Sequence, residues 1–346
     1  MRTFDYRHLP QDLFNRKAGD ANVRLYADKG KLDLLEQLQP EQLASLAERA
    51  HIDNVDASMR IEGLYVDFQR TRALIKGATP IDEMESQICG YSTALSLIEN
   101  EADQLDLSTS TILQLYEALY AHRDLGRKSR YRKKDYLYVQ VDGHMQAMPV
   151  SPITAFETPL VLGSACDDLA EAFDADTCSP LILGAVFTID FLCIRPFDEG
   201  NGRIARLFAE LMLAKAGFNV FRYMSIDRII EKSAMRYYDA LNACVDGWDR
   251  RTNNYAPYVQ YWLDVVHEAY RQLFERIELA SNSGANKSDR VRLFIQRADG
   301  PVTKRQIREA LPDVSEATIE NALGKFVKEG VITKIGASRS TAYVMN

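Results

Sequence analysis

Ile194-Arg195-Pro196-Phe197-Asp198-Glu199-Gly200-Asn201-Gly202-Arg203-Ile204-Ala205-Arg206 is the stretch whose reading decides the fold. An apolar helix runs into it and ends near Ile194, because Pro196 biases Arg195 away from helical angles. A second helix starts near Gly202, with an inward stripe of Ile204, Leu207, Phe208 and Leu211. Gly-Asn-Gly lets the backbone turn with its N–H groups exposed at a helix N-terminus, where the dipole favours anions. Arg203 and Arg206 stand three apart and share one helix face. Both can meet phosphate oxygens with bidentate geometry. Glu199 places a carboxylate beside that anion hole, a position suited to Mg²⁺. Asn201 is expected to orient a ligand or brace the turn. The structural alternative, a tight helix–helix turn, does not account for Pro196, Phe197, Glu199, Arg203 and Arg206 in one register.

The stretch resembles the Fic (Fido) signature H-x-F-x-[DE]-G-N-G-R-x-x-R at every fixed position but the first. The resemblance implies ATP binding with Mg²⁺ or Mn²⁺, and transfer of AMP to a protein hydroxyl. It implies a metal at Glu199, an anion hole at Gly200, Asn201 and Gly202, and triphosphate held by Arg203 and Arg206. It also implies that Phe197 anchors the loop in the core. At the first position Arg195 stands where the family has its general-base histidine. An imidazole titrates near ~6.5 and can take a proton. A guanidinium has no acceptor and cannot. The expectation is nucleotide binding with transfer impaired, unless another base such as Asp198 stands in. A non-enzymatic nucleotide sensor is the alternative.

Two further stretches fit the resemblance. Ser58-Met59-Arg60-Ile61-Glu62-Gly63 matches the family's inhibitory pattern [ST]-x-x-x-E-[GN]. Ser58 and Glu62 lie four apart on one helix face. Gly63 can end that helix, leaving Glu62 at a terminus where the dipole disfavours its charge. In the family this glutamate pairs with the second motif arginine, here Arg206. Tyr136–Val141 alternates as a strand, Asp142-Gly143 supplies a hairpin turn, and residues 144–149 return. The family carries a target-gripping flap there, which puts Val141, Asp142 and Gly143 at its tip. Tyr237 and Tyr238 fall where the family lines its nucleoside pocket, although such pairs are usually core.

The rest of the chain sets the frame. Its 346 residues suggest ~2–3 domains. The organisation expected is an N-terminal helical region over 1–105, a Fic core over 106–280, a linker over 281–286 and a winged helix over 287–346. The fold class is mainly α, with a small hairpin flap. Helical stripes such as Leu32, Leu34, Leu35, Leu38 and Ile112, Leu115, Tyr116, Leu119 read as core. Residues 17–30 read as an irregular arm. Near the C-terminus, Thr303 with Gln306 forms a capping box, Ser315 caps a helix reaching about Glu329, and Val331–Ile335 and Thr341–Val344 read as strands.

Net charge is −7, so the whole is not a generic nucleic-acid binder. Residues 285–346 hold 11 Lys/Arg against 7 Asp/Glu, a net +4 that leaves −11 elsewhere. That surplus is weak for DNA, so a protein-contact or homodimer role is expected of residues 287–346 in preference to DNA binding. The protein target is undefined, self-modification included. Five scattered cysteines without CxxC spacing indicate a reducing compartment. No apolar run approaches the ~20 residues needed to span a bilayer. No membrane association is expected, and a cytoplasmic location is.

Overall fold

The computed structural model describes residues 3–122, 131–141, 144–149, 151–281, 287–298, 300–336 and 341–345. Among them are fourteen α-helices and five short strands, so the protein is mainly α. Helix α1 is Arg16–Leu38, α2 Pro40–Ile61, α3 Phe68–Ile75, α4 Glu83–Glu101 and α5 Thr109–Leu119. The hairpin β1 Tyr136–Val141 and β2 His144–Pro149 follows, pairing Tyr136 with Pro149 and Val141 with His144. Then come α6 Thr158–Asp174, α7 Pro180–Ile194, α8 Asn201–Lys215, α9 Ile226–Lys232, α10 Ala234–Val245 and α11 Ala256–Ser281. The C-terminal unit holds α12 Lys287–Arg297, β3 Val302–Thr303, α13 Lys304–Ala310, α14 Glu316–Lys328, β4 Ile332–Ile335 and β5 Ala342–Met345. Its strands form an antiparallel sheet in the order β3-β5-β4.

Two hydrophobic cores exist. The larger runs from Tyr6 to Ile277, and the smaller from Val291 to Ile332. At the centre of the first lies α7, buried around nearly its whole circumference and packed between α6, α8 and α11. A helix apolar on all sides has to be central. Its one carboxylate, Asp190, is compensated: Tyr6 Oη (2.8 Å), Trp248 Nε1 (2.6 Å) and Tyr255 Oη (2.7 Å) donate to it. Those donors come from remote parts of the chain and fix α7 against both ends of the body.

The expected irregular arm over residues 17–30 is instead the first half of α1. Asn15 caps it by accepting from the Ala18 N–H, and Ala18, Leu25 and Leu32 are buried at seven-residue spacing against α11. Gly19 and Gly30 lower local helix propensity, but the buried stripe outweighs them. Leu34 and Leu38 are exposed, so only part of the leucine stripe is core. In the C-terminal unit, Thr303 and Gln306 do form a capping box and Ser315 caps α14. The last two strands begin one residue later than expected. Residues 282–286 and 337–340, which include most of the expected linker, lie outside the described residues.

Candidate functional site

The site grows from the end of α7. Arg195 caps that helix in a left-handed conformation, φ 48° and ψ 66°, and its N–H donates to the Phe191 carbonyl at 2.9 Å. Pro196 was expected to end the helix; the backbone leaves it through the left-handed region, which is costly for a residue with a Cβ. Arg132 holds the turn in place. Its backbone N–H donates to the Pro196 carbonyl (2.8 Å), its Nε to the Arg195 carbonyl (2.9 Å) and its Nη2 to the Ile153 carbonyl. Burial lowers the Arg132 guanidinium pKa, with Asp135 and Asp198 opposing.

Phe197 is fully buried and stacks on Tyr116, with ring centroids 4.0 Å apart. Asn201 braces the loop. Its Oδ1 accepts from the Phe197 N–H (3.0 Å) and its Nδ2 donates to the Phe197 carbonyl (2.8 Å). Helix α8 therefore starts at Asn201, one residue before the expected position, with Gly200 as its N-cap at φ 78°. A Cβ at Gly200 would sit 2.6 Å from Tyr120 Oη, and one at Gly202 would sit 2.7 Å from Glu62 Oε1. Gly200 is required by its left-handed backbone, and at Gly202 a Cβ would displace the Glu62 carboxylate. The opening N–H groups of α8 have no intrahelical acceptors.

Arg203 and Arg206 leave α8 toward different neighbours. Arg203 donates to Gln87 Oε1 and to Tyr120 Oη (3.2 Å). Arg206 is buried. Its Nη2 lies 2.9 Å from Glu62 Oε1 and 3.0 Å from Ser58 Oγ, and its Nε is 3.4 Å from Asp227 Oδ2. Glu62 is the C-cap residue of α2, and Gly63 follows at φ 76°. Tyr238 Oη donates to the Ile61 carbonyl at 3.1 Å, securing that helix end. The two tyrosines thus separate. Tyr237 is buried among Tyr238, Tyr258 and Tyr261, whereas Tyr238 is half-exposed. Burial pushes the Tyr237 phenol up to about 12, with Arg206 opposing. Of the flap residues, Val141 ends β1, while Asp142 and Gly143 lie outside the described residues.

A buried carboxyl network supports Arg206 from behind. Asp227 Oδ2 accepts from Tyr91 Oη (2.7 Å), and Asn54 accepts from the Asp227 backbone N–H (3.0 Å) while donating to Glu210 Oε1 (2.7 Å). Burial raises both carboxyls, but Arg206 and three side-chain hydrogen bonds pull Asp227 down. Glu210 is raised further by burial and by Asp227, and only Asn54 and Arg206 oppose. We assign the negative charge to Asp227 and the proton to Glu210. Arg132, Asp227, Tyr91 and Glu210 escaped the sequence reading, because their partners lie far off in the chain; Tyr120, which continues the Ile112–Leu119 stripe and was read with it as core, instead turns its hydroxyl to Gly200 and Arg203.

Two buried donors on residues of this stretch, Arg195 Nε and Arg203 Nε, have no hydrogen-bond partners. Together with the side-chain-free backbone at Gly200 and Gly202, they fit an anionic ligand. Burial raises the phenols of Tyr116 and Tyr120, and the charge of the partly exposed Glu199 adds to it, with Arg203 opposing. Among the described residues no group of three or more His, Cys, Asp or Glu is arranged to hold a metal. A divalent cation at Glu199 would take its other ligands from phosphate and water.

Residues 106–213 match the family model of the Fic/DOC family. The protein adenylyltransferase Fic of Culex quinquefasciatus is 25% identical over 252 residues, 69% of this chain and 44% of that protein. The protein of the same name from Drosophila willistoni is 24% identical over 176 residues, 49% of this chain and 33% of that protein. The chain therefore spans less than half the length of these relatives. A Fic family protein from Desulfovibrio desulfuricans G20 shares the fold with a TM-score of 0.58 at 19% identity, covering 94% of this chain and 96% of that one. A Fic domain containing signaling protein from Bacteroides thetaiotaomicron VPI-5482 does so with 0.59 at 21%, covering 74% and 97%. Among the described residues, no helix is long and apolar enough to cross a membrane.

Proposed function

We propose, from the match of residues 106–213 to the Fic/DOC family model, that the chain binds the triphosphate of ATP at the 195–206 loop, that Glu62 restrains this binding, and that Arg195 leaves AMP transfer to protein hydroxyls impaired. One observation carries the reading. The Glu62 carboxylate sits over Gly202 at the start of α8, paired with Arg206. An acidic side chain there marks a place built for an anion. A phosphate entering it would take Arg206 from Glu62 and receive Arg203 from Tyr120. Arg195 Nε and Arg203 Nε, without partners now, would gain acceptors. Glu199 would hold the divalent cation, which when bound offsets phosphate charge.

Transfer needs more than binding. The target hydroxyl has to lose its proton as the bond to phosphorus forms. Arg195 presents donors only, so it can pair with a phosphate but not accept that proton. Asp198, exposed on the loop, is the nearest carboxylate in sequence able to substitute. The test is incubation with labelled ATP and Mg²⁺ or Mn²⁺, reading label on the protein itself and on lysate proteins. Label is expected only from Arg195→His, and more from Arg195→His with Glu62→Ala. Label with Arg195 intact sinks the claim of impaired transfer. Absence of ATP binding even in Glu62→Ala sinks the phosphate-loop reading.

A further inference from the structure

On the opposite side of α2 from the Glu62 pocket, a cleft of about 550 Å³ separates the body from the C-terminal unit. Its body walls are α2, α3, α9 and α11, and its far wall is α13 with the turn before α14. That volume falls in the range of small-molecule sites, ~300–1,000 Å³. Eight Lys or Arg and five Asp or Glu line it.

The carboxylates are already engaged. Asp56 binds Arg228 (2.6 Å) and Arg60 (2.9 Å), and Asp53 binds Arg49 (2.8 Å). Glu309 binds Arg305 (2.8 Å) and, across the cleft, Lys232 (3.4 Å). Asp67 caps α3, and Glu316 meets Arg308 only at 3.5 Å. The positive surplus therefore has specific owners. Among the described residues the side chains of Arg72 and Arg276 make no hydrogen bond and no ion pair within 4 Å; Glu48 lies in the field of the first, and Asp53 and Glu309 in that of the second. Burial lowers the Arg276 pKa and Arg49 adds to it, with Asp53 and Glu309 opposing. Arg276 is half-buried and Arg72 exposed, so an anion entering the cleft meets both guanidinium groups without first breaking a hydrogen bond of either.

We propose that this cleft is a second anion site, separate from the 195–206 loop, for a small phosphate-bearing polyanion clasped between Arg72 and Arg276 on the body and Arg308 on α13. Guanidinium forks on facing walls suit phosphate oxygens better than a single carboxylate. Ser315, the N-cap of α14, also lines the cleft and adds the favourable end of that helix. A small ligand is favoured over nucleic acid by orientation. Were α14 a reading helix, its first residues would face base edges. Instead Ser315 and Glu316 are turned toward the body.

The test is calorimetric titration of the full chain and its variants with inorganic tripolyphosphate at low salt. Wild type and Arg203→Ala are expected to share a binding event that Arg72→Gln/Arg276→Gln weakens at least tenfold. Arg276→Lys, which keeps the charge, should lose only a few fold. Melting temperatures should hardly move, since neither cation has a protein partner to lose. If the double variant does not fold, the exposed Arg72→Gln alone should still weaken binding severalfold. Three results overturn the proposal: unchanged affinity in these variants, loss of all binding in Arg203→Ala, or a short DNA duplex displacing tripolyphosphate at lower concentration through the same arginines. Because Arg203→Ala disables only the loop, failure there is distinguishable from failure of the cleft.

Discussion

Replacing Glu62 with alanine should weaken the fold and strengthen nucleotide binding at once. Breaking a fully buried ion pair typically costs ~3–5 kcal/mol. Here the cost is smaller for two reasons visible in the geometry. The Glu62 side chain is 29% exposed. Arg206 also keeps Asp227 at 3.4 Å and Ser58 Oγ at 3.0 Å. The remaining loss is about 1–2 kcal/mol, in line with hydrogen bonds to charged groups. For a chain of this size that is a fall of about 2–4 °C in Tm. The same contact has to break before a phosphate occupies the start of α8. Removing it should therefore tighten MgATP binding by roughly 5–30-fold, the same free energy expressed as a population shift. Calorimetric titration with MgATP and thermal melts on one preparation read both numbers. A lower Tm with unchanged or weaker ATP binding would refute the reasoning, since Glu62 would then brace α2 without standing in the ligand's way.

Other outcomes follow from neighbouring features. Glu210 keeps its proton in the folded state, whereas the unfolded carboxyl ionises near ~4.3. Its contribution is therefore complete below that pH and declines as pH rises toward the raised folded value. Glu210→Gln, which retains an oxygen for Asn54, should raise Tm at neutral pH and flatten the fall that sets in as pH rises above the ordinary carboxylate range. Arg195→Gly should raise stability by roughly 0.5–1 kcal/mol in urea titrations, because glycine adopts φ 48° without the ~1–2 kcal/mol left-handed penalty. A lower denaturation midpoint would instead assign the arginine head group a stabilising role. Phe197→Ala should cost about 3–5 kcal/mol, since the ring is fully buried against Tyr116, and should loosen ATP binding as well.

The loop was legible because its determinants are local. Asn201 bonds Phe197 four residues away, and the two glycines and Pro196 act on their own backbone. The Ser58–Gly63 pattern was legible for the same reason, and its pairing with Arg206 entered through family resemblance. What stayed hidden is non-local. Arg132 clamps a turn more than sixty residues onward, and Asp227 reaches Tyr91 from across the body. No spacing rule encodes such contacts. Residues 17–30 were misread for a related reason. Two glycines and several polar residues obscure a stripe of three buried side chains, and packing on α11 makes that stretch a helix. Tyr237 and Tyr238 show the limit of adjacency: neighbours on a helix point about 100° apart, so one is core and the other surface.

Helix α2 has two addresses. Its cleft-facing side carries Asp53 and Asp56, and its last turn delivers Ser58 and Glu62 to Arg206. At 22 residues it is a rod of about 33 Å, which shifts or tilts more readily than it bends. A polyanion clasped by Arg72 and Arg276 would lie against the Asp53 and Asp56 side of this helix, and so act on the seating of the segment that presents Glu62. Thermodynamic linkage makes the relation symmetric: whatever factor cleft occupancy applies to ATP affinity, ATP applies to the cleft. The helix would then serve as a balance beam, and ATP affinity measured at different levels of polyphosphate would record its tilt.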